Sequence, residues 1–327
     1  MHVATKANLT SAVAGSVAHN SAIHNSAIED ALLFEYSTAA DPISSGATPN
    51  VPLAEFTSDL YARGPSRVIP LDISQALRCS APATGPSLAA SFIRLEAGIL
   101  LKTSVQATSE LFYVIQGSGV SKVGEQEIAW AQGDFFTLPG AAAQHRSSEP
   151  AVLYWVNDAP LLEYLGVERK RARFAPTHYT RDKLAKALQH AANDPLAATR
   201  SRVSLILGNA NFQQTMTVTH VLWAMYGLIE PNTRQLPHRH QSVALDLIID
   251  AQPGCYTLVG TELNADGFIH NPSRIDWKSG SAFVTPPGYW HEHRNESGAR
   301  AYLAPIQDAG LHTYLRTLDI TFYKEDE

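Results

Sequence analysis

Hydrophobic residues occur in short runs separated by glycine or proline over most of the chain beyond residue 68. The runs Ser91–Leu95, Leu111–Ile115 and Phe135–Leu138 each end close to such a residue. Strands that recur every 8–12 residues or so with turn residues between them are typical of an antiparallel sandwich or barrel. The pattern therefore predicts an all-β fold for this part of the chain.

The turn residues of the second half repeat the spacing of those in the first half. The corresponding positions are Gly98, Gly117, Gly133 and Pro139 in the first half, and Gly227, Gly254, Gly280 and Pro286 in the second. A spacing that recurs within one chain indicates a repeated structural unit. We therefore expect two β-barrels of similar plan.

A segment with a different period lies between the two halves. Within residues 180–193, small and apolar side chains recur on one face of a helix, at Leu184, Ala187, Leu188 and Ala191. Thr180 is a suitable N-cap, and Asn193 followed by Pro195 ends the pattern. This segment is expected to be a helical linker between the barrels.

These patterns divide the chain into four parts. We predict a partly disordered N-terminal arm over residues 1–60, which begins with a segment rich in alanine, serine and asparagine. A first barrel over residues 61–165 follows, then the helical linker over 166–200. The second barrel covers residues 201–327.

Composition and charge exclude several classes of protein. The formal net charge is -6 and neither sign forms long runs, so neither nucleic acid nor an anionic membrane surface is an expected partner. Apolar runs are too short to span a bilayer, and the N-terminus has no apolar signal region. Only two cysteines occur, Cys79 and Cys255, which favours a reducing compartment. A cytoplasmic protein is expected.

Three histidines suggest a metal site in the second half. Residues two apart on a strand point to the same side, so His238 and His240 can present two imidazoles to one point. Pro286, Pro287 and Gly288 predict a tight turn just before a third histidine, His291. The alternative is that the three histidines line a barrel without a metal.

The segment around His291 resembles a known motif. Its spacing matches the second cupin motif at every fixed position, namely Gly280, Pro286, Gly288, His291 and Asn295. The His238-Arg-His240 segment is similar to the paired histidines of the first cupin motif. Residues 202–322 look more specifically like the iron-binding cupin of gentisate 1,2-dioxygenases and related salicylate-type ring-cleaving enzymes.

The resemblance implies a fold, a cofactor and an activity. The fold would be two cupin barrels, that is, double-stranded β-helices of the jelly-roll type, joined by a helical linker. The metal would be Fe(II) held by His238, His240 and His291, although zinc, nickel or manganese could be present in purified protein. The activity would be that of an oxidoreductase in aromatic compound degradation, which binds an aromatic hydroxy acid through two oxygens and cleaves it with O2. Bicupins often associate, so a homo-oligomer is expected.

Other functions of a metal-binding cupin stay open at this point, because cupins host many chemistries. They include a diketone-cleaving oxygenase, an isomerase and a small-molecule binder without turnover. Two departures from the family bear on the choice. The metal-binding barrel comes second here rather than first, and Asp246 stands where the family often has arginine.

The first barrel keeps the cupin spacing without the ligands. Ser104 and Gln106 occupy the places of the paired histidines, and Gln144 stands at the position of the later histidine, with His145 one place off. We therefore expect a structural or pocket-closing cupin there, without a metal.

The remaining candidate site residues surround the predicted ligands. His293 lies two residues beyond His291, and a catalytic neighbour is preferred to a fourth ligand. Arg239 is expected to face away from its flanking histidines. Arginine is suited to hold a substrate carboxylate, and Arg234 and Arg294 are the candidates.

Three further residues are assigned to substrate binding. Trp223 and Trp290 are candidates for an aromatic pocket, against the alternative of ordinary core packing. Asp246 is included because an acid in place of arginine reverses the side-chain charge that an anionic substrate would encounter at this position.

Overall fold

The structure, a computed structural model, describes residues 31–323 and divides the chain into two units, 1–48 and 49–327. In the described part of the first unit, the one-turn helix α1 (Tyr36–Ala39) is capped by the side chain of Glu35, which accepts a hydrogen bond from the backbone N–H of Thr38. The first thirty residues of the predicted N-terminal arm lie outside the described residues.

The second unit contains the strands and the other helices. Its first part comprises β1 (Ala54–Phe56), α2 (Asp59–Ala62), β2 (Arg67–Pro70), α3 (Ser74–Leu77), β3 (Ala89–Leu95), β4 (Leu101–Thr103), β5 (Glu110–Gln116), β6 (Ser118–Val123), β7 (Gln126–Ala131), β8 (Phe135–Leu138), β9 (Ala143–Arg146), β10 (Ala151–Asn157), α4 (Ala159–Leu165) and β11 (Thr177–Tyr179). Its second part comprises α5 (Arg181–Ala192), β12 (Val203–Ile206), β13 (Trp223–Ile229), β14 (Thr233–Arg234), β15 (His238–His240), β16 (Ala244–Asp250), β17 (Cys255–Gly260), β18 (Ser273–Asp276), β19 (Ala282–Thr285), β20 (Trp290–Asn295), β21 (Ala301–Gln307), α6 (Ala309–Leu315) and β22 (Ile320–Phe322), with 3-10 turns at Ala197–Thr199 and Ala210–Phe212.

The strands form two barrels of two antiparallel sheets each. In the first barrel a sheet of order β11-β8-β5-β10-β3-β2 packs on one of order β4-β9-β6-β7. In the second barrel a sheet of order β1-β19-β16-β21-β13-β12 packs on one of order β18-β17-β20-β15-β22, with β14 also paired to β20. The predicted all-β fold, two cupin barrels joined by a helical linker, is confirmed.

Three apolar clusters hold this arrangement together. Inside the first barrel, the ring of Phe112 stacks on Phe136 with centroids 4.6 Å apart. Inside the second barrel, the cluster includes Phe283 on β19. A third cluster lies between the two six-stranded sheets and joins side chains such as Phe92 of the first barrel to Leu247 of the second. Removal of this much apolar surface from water fixes the barrels against each other.

Each barrel also receives one short strand from outside its predicted range. Strand β1, from the predicted arm, pairs with β19 of the second barrel, and β11, from the predicted linker, pairs with β8 of the first. Both additions cover a sheet edge that would otherwise expose unpaired backbone groups. The four domain ranges stay predictions, and the two exchanged strands show that the chain crosses between the barrels at both places.

The helix predicted in the linker is α5. Thr180 occupies the N-cap position but its side chain makes no capping hydrogen bond. Leu184 and Leu188 are buried, and Leu188 packs with Val203 and Leu228 of the second barrel. At 12 residues α5 is the longest helix in the described part of the chain. Within residues 31–323 no helix is long and apolar enough to cross a membrane.

Candidate metal centre

Three buried histidines converge inside the second barrel. His238 and His240 lie on β15, and His291 lies opposite His238 on the neighbouring strand β20. One ring nitrogen from each lies within 4.8 Å of the others. Among residues 31–323 this is the only group of three or more histidine, cysteine or carboxylate side chains that converges in this way. The alternation of side chains along a strand is what brings His238 and His240 to the same side.

Hydrogen bonds leave ring nitrogens of this group available. The backbone carbonyl of Ser242 accepts a hydrogen bond from Nδ1 of His240 at 2.9 Å, and that of Tyr289 accepts one from Nδ1 of His291 at 3.1 Å. Each bond requires the proton on Nδ1, so Nε2 of both rings keeps its lone pair. Nε2 of His240 and Nδ1 of His238 are buried and have no hydrogen-bond partner among the described residues. Buried nitrogens without a partner are costly unless a ligand completes them, and a divalent metal fits.

The three imidazoles are neutral at physiological pH. Burial lowers the pKa of His240 to about 4. Burial, followed by the charges of neighbouring histidines, lowers the pKa of His238 and His291 well below the usual range. Neutral imidazole is the form that binds a metal, so little proton competition is expected near pH 7.

The turn before β20 fixes the third histidine relative to the other two. Gly288 has a φ of +78°, a left-handed conformation that favours glycine. Its backbone N–H donates to the carbonyl of His240 at 2.7 Å. The turn predicted at Pro286, Pro287 and Gly288 is therefore present, and it is tied directly to the strand that bears the first two histidines.

His293 is buried beside the triad and is held by a chain of hydrogen bonds. Nε1 of Trp277 donates to Oγ1 of Thr257 at 2.8 Å, and Oγ1 of Thr257 lies 2.9 Å from Nδ1 of His293. The hydroxyl of Thr257 can donate its proton to Nδ1 of His293 or accept a second hydrogen bond from it, so this contact fits either tautomer of the ring. His293 does not belong to the group of three histidines whose nitrogens converge.

Asp246 lies on the inner face of β16, opposite to Leu245 and Leu247, which pack between the barrels. It is buried, and Oγ1 of Thr285 donates to its carboxylate at 2.6 Å. Burial raises its pKa to about 6, against the opposing effects of this hydrogen bond and of the charge of Arg202. The carboxylate is therefore mostly ionised at pH 7.

Arg202, which sequence reasoning missed, is the arginine near the triad. Burial lowers its pKa to about 10. Burial lowers the pKa of His238, His240, His291 and His293, and the positive charge of Arg202 lowers it further. Nη1 is buried without a hydrogen-bond partner among the described residues, while Nη2 lies 3.5 Å from the sulfur of Met225. A charged residue directly before the apolar strand β12 was the available signal in the sequence.

The two arginines proposed from the sequence lie on the other face of the sheet. Arg294 is an odd number of residues from His291 on β20 and pairs with Glu292, whose Oε1 accepts from Nε at 2.8 Å. Arg234 is opposite Arg294 in the strand pairing, and its guanidinium lies 5.1 Å from the ring centroid of Phe268. The structure does not bring either arginine together with the triad.

Of the two tryptophans assigned to substrate binding, only one faces the interior of the barrel. Trp223 is half-buried on β13, on the face opposite to Ala224, and its Nε1 is buried without a partner in the described part of the chain. Trp290 alternates with His291 and is therefore on the outer face, where the guanidinium of Arg239 lies 5.3 Å from its ring centroid. Trp223 is positioned to contribute to a pocket inside the barrel, and Trp290 is not.

The first barrel has side chains other than metal ligands at the matching places. Thr103 pairs with Ala143 as His238 pairs with His291. His145 matches His293, because it lies opposite Ser121 as His293 lies opposite Thr257. The motif spacing had placed Ser104 and Gln144 at the ligand positions, and the strand pairing corrects this by one residue.

Comparisons with known proteins agree with this geometry. No family model matches the chain. The chain is 27% identical over 194 residues to gentisate 1,2-dioxygenase 1 of Aquipseudomonas alcaligenes, a match that covers 58% of this chain and spans about half, 52%, of that relative.

Two solved structures extend the comparison over most of the fold. A salicylate 1,2-dioxygenase from Pseudoaminobacter salicylatoxidans, solved with gentisate, superposes with a TM-score of 0.67 at 11% identity and covers 89% of this chain and 90% of its own. An oxalate decarboxylase superposes with a TM-score of 0.53 at 14% identity over 80% of this chain and 78% of its own. These superpositions show the fold alone. With the sequence match and the three-histidine group, they lead to one conclusion: the chain is related to the cupin-type ring-cleaving dioxygenases.

Proposed function

We propose that this protein is an Fe(II)-dependent dioxygenase that opens the ring of an aromatic hydroxy acid of the gentisate or salicylate kind. One observation supports this most directly: His238, His240 and His291 are buried, neutral and convergent, with ring nitrogens that no group within residues 31–323 satisfies. The relationship to ring-cleaving dioxygenases gives the reaction class. Iron(II), when bound, supplies open coordination positions and the redox chemistry that dioxygen requires.

The charges inside the barrel suit a chelating acid that loses two protons. The three imidazoles are neutral, and the charges of Arg202 and Asp246 offset each other. The net charge of the loaded site would then be that of the divalent ion. A neighbouring carboxylate and phenolate on one ring carry two negative charges and match it.

Each remaining residue has a role in binding or orientation. Arg202 holds the substrate carboxylate through Nη1, which has no partner in the described structure. We assign the hydroxyl proton of Thr257 to the contact with Nδ1 of His293, so that the ring proton of His293 is on Nε2 and donates to a substrate oxygen. Nε1 of Trp223 is a further buried donor in the same interior. The apolar cluster around Phe283 keeps water out.

Asp246 favours a second candidate, a cupin whose metal does not activate dioxygen. A carboxylate inside the barrel could act on a proton of the substrate, as in an isomerase. This candidate requires a metal such as zinc, nickel or manganese, and no oxygen consumption in the reaction.

Oxygen uptake after anaerobic Fe(II) loading distinguishes the two candidates. The substrate panel is gentisate, salicylate, 1-hydroxy-2-naphthoate and simple β-diketones. The dioxygenase proposal expects uptake with at least one aromatic hydroxy acid and ring-opened product in equal amount. Uptake with diketones alone would move the assignment to a diketone-cleaving oxygenase. No uptake with any compound would eliminate the dioxygenase.

A further inference from the structure

A second cavity lies outside the barrels, between them and the linker helix. Its volume is about 660 Å³, and its walls come from both six-stranded sheets and from α5. Pockets that hold small organic molecules usually have volumes of several hundred Å³ and combine apolar walls with a few polar groups. None of the residues of the metal centre lines this cavity, so it is a separate site.

Three polar side chains that line this cavity lack hydrogen-bond or ion-pair partners among the described residues. The phenol of Tyr113 on β5 is buried, that of Tyr226 on β13 is half-buried, and neither hydroxyl has a hydrogen-bond partner among the described residues. Arg181, the first residue of α5, lines the same cavity. Burial raises the pKa of both tyrosines, and the charge of Arg181 opposes this shift. Within residues 31–323, no carboxylate forms an ion pair with Arg181. Two hydroxyls and an unpaired cation therefore face the same space.

The surroundings of Arg181 show that its position is built into the fold. Its backbone N–H donates to Oδ1 of Asp134 at 2.8 Å. Its aliphatic stem packs on Gly133, where an added Cβ would come within 2.8 Å of Cδ of Arg181. Gly133 has a φ of +91° and so favours glycine on conformational grounds as well. The stem is thus held at one wall of the cavity, and the side chain as a whole is exposed.

The cavity has two other charged side chains, Arg300 in an ion pair and Asp250 without one among the described residues. The guanidinium of Arg300 binds both carboxylate oxygens of Glu230 at 2.9 Å. The carboxylate of Asp250 accepts a hydrogen bond from Oγ of Ser279 at 3.2 Å, and it is the one acid that lines the cavity. The walls between these groups are apolar or aromatic, and the rings of Tyr226 and Tyr302 stack with centroids 6.2 Å apart. A flat, mostly apolar molecule with one negative group matches this lining.

We propose that this cleft is a second small-molecule site that binds an aromatic monocarboxylate. The carboxylate pairs with Arg181 and accepts hydrogen bonds from Tyr113 and Tyr226, and the ring packs on the tyrosine faces. Because the cleft touches both sheets and the linker helix, an occupant would contact both barrels. The site is independent of the proposed dioxygenase activity.

The test is calorimetric titration of full-length, metal-free protein with 4-hydroxybenzoate, whose two oxygen groups are too far apart to chelate one metal. Wild type is expected to bind it, and Arg181→Gln is expected to weaken binding by about tenfold or more, the usual worth of a charge-assisted hydrogen bond. Tyr226→Phe is expected to weaken it by a few fold, in keeping with one neutral hydrogen bond. Lys186→Gln, which removes an exposed charge from the same helix, is the matched control and leaves binding unchanged.

Two further titrations locate the site and its charge preference. The neutral amide 4-hydroxybenzamide is expected to bind at least about tenfold more weakly than the acid. His291→Ala, which removes a predicted metal ligand, is expected to leave binding of the acid unchanged. Absence of binding to wild type, equal binding of acid and amide, or insensitivity to both Arg181→Gln and Tyr226→Phe would overturn the proposal. Loss of binding in His291→Ala would instead assign the ligand to the metal centre.

Discussion

The two barrels share one hydrogen-bonded chain and differ in what surrounds it. In the second barrel the chain runs from Trp277 through Thr257 to His293. In the first barrel Nε1 of Trp130 donates to Oγ of Ser121 at 2.8 Å, and that oxygen lies 2.7 Å from Nδ1 of His145. A tryptophan, a hydroxyl and a histidine in this order are therefore a feature of the repeat, and do not by themselves indicate a reaction.

His145 and His293 differ in the partner of their second ring nitrogen, Nε2. Nε2 of His145 lies 2.9 Å from Oγ1 of Thr103, so both of its nitrogens are satisfied within the protein. The residue that corresponds to Thr103 in the second barrel is His238, and Nε2 of His293 has no partner among the described residues. The first barrel thus satisfies both ring nitrogens of its histidine, whereas the second barrel leaves Nε2 of His293 available.

The two barrels also differ in the pKa of a buried carboxyl group. Nε1 of Trp155 donates to Glu110 in the first barrel at 2.9 Å, and burial raises the pKa of this carboxyl to about 8. Burial raises the pKa of Asp246 in the second barrel only to about 6, because a hydroxyl and the charge of Arg202 stabilise its ionised form. At pH 7 Glu110 is therefore neutral, whereas Asp246 keeps its charge. The polar groups inside the second barrel therefore suit chemistry, whereas those inside the first barrel suit packing.

The largest effect is expected from His291→Ala. Loss of one of three ligands should lower oxygen uptake by more than about 100-fold, because the metal would no longer be held in the barrel. The matched change in the first barrel is His145→Ala, which should lower thermal stability and leave specific activity per folded protein near that of wild type. Equal loss of activity in both variants would break the distinction between the barrels.

Glu110→Gln is expected to stabilise the protein in a pH-dependent way. The carboxyl has a pKa of about 8 in the folded protein and an ordinary value of 4.5 when exposed, so between these values unfolding releases a proton. Stability of wild type therefore falls as pH rises through this window, and glutamine removes the loss. The gain should reach up to about 3 kcal/mol at pH 7 and vanish near pH 4.5. Urea unfolding at several pH values measures it; a constant difference between the two proteins at all pH values would contradict the protonation of Glu110.

Arg202→Gln is expected to raise KM for an aromatic hydroxy acid by about 10-fold to 100-fold, since a charge-assisted hydrogen bond to the carboxylate is lost. Metal content should stay that of wild type. The matched control is Arg294→Gln, on the outer face of the same barrel, which should change KM by less than about twofold. A larger effect of Arg294→Gln than of Arg202→Gln would return the carboxylate to the residue proposed from the sequence.

Thr257→Val is expected to have the smallest effect on the reaction. Without the hydroxyl, the proton of neutral His293 is free to move between Nδ1 and Nε2, and kcat should fall by about tenfold with little change in KM. The readout specific to this role is the pH profile of kcat, which should shift when the tautomer is no longer fixed. Ser121→Ala is the matched change in the first barrel and should leave kcat and its pH profile unchanged.

The sequence was sufficient for the fold because both barrels obey strong local rules. Phe135–Leu138 is a strand with the predicted bounds, since it is an apolar run closed by a proline turn. The exchanged strands β1 and β11 escaped prediction, because three residues with no regular pattern pair only when a sheet edge is already present.

The site was predictable where side-chain alternation applies. It places His238, His240 and His291 together, and applied consistently it would also have placed Trp290 and Arg294 on the outer face, as it did for Arg239. Arg202 lies far from the histidines in the chain, and only the pairing of β12 with β13 brings it into the barrel. No motif spacing encodes such a tertiary contact.

Metal stoichiometry shows whether the second barrel alone holds the metal. Wild type, His238→Ala and His145→Ala would each be loaded anaerobically with Fe(II), desalted and analysed for iron per chain. We expect about one iron per chain in wild type and His145→Ala and almost none in His238→Ala, because the ligand set is confined to the second barrel. Two irons per chain in wild type, or full iron content in His238→Ala, would contradict the account.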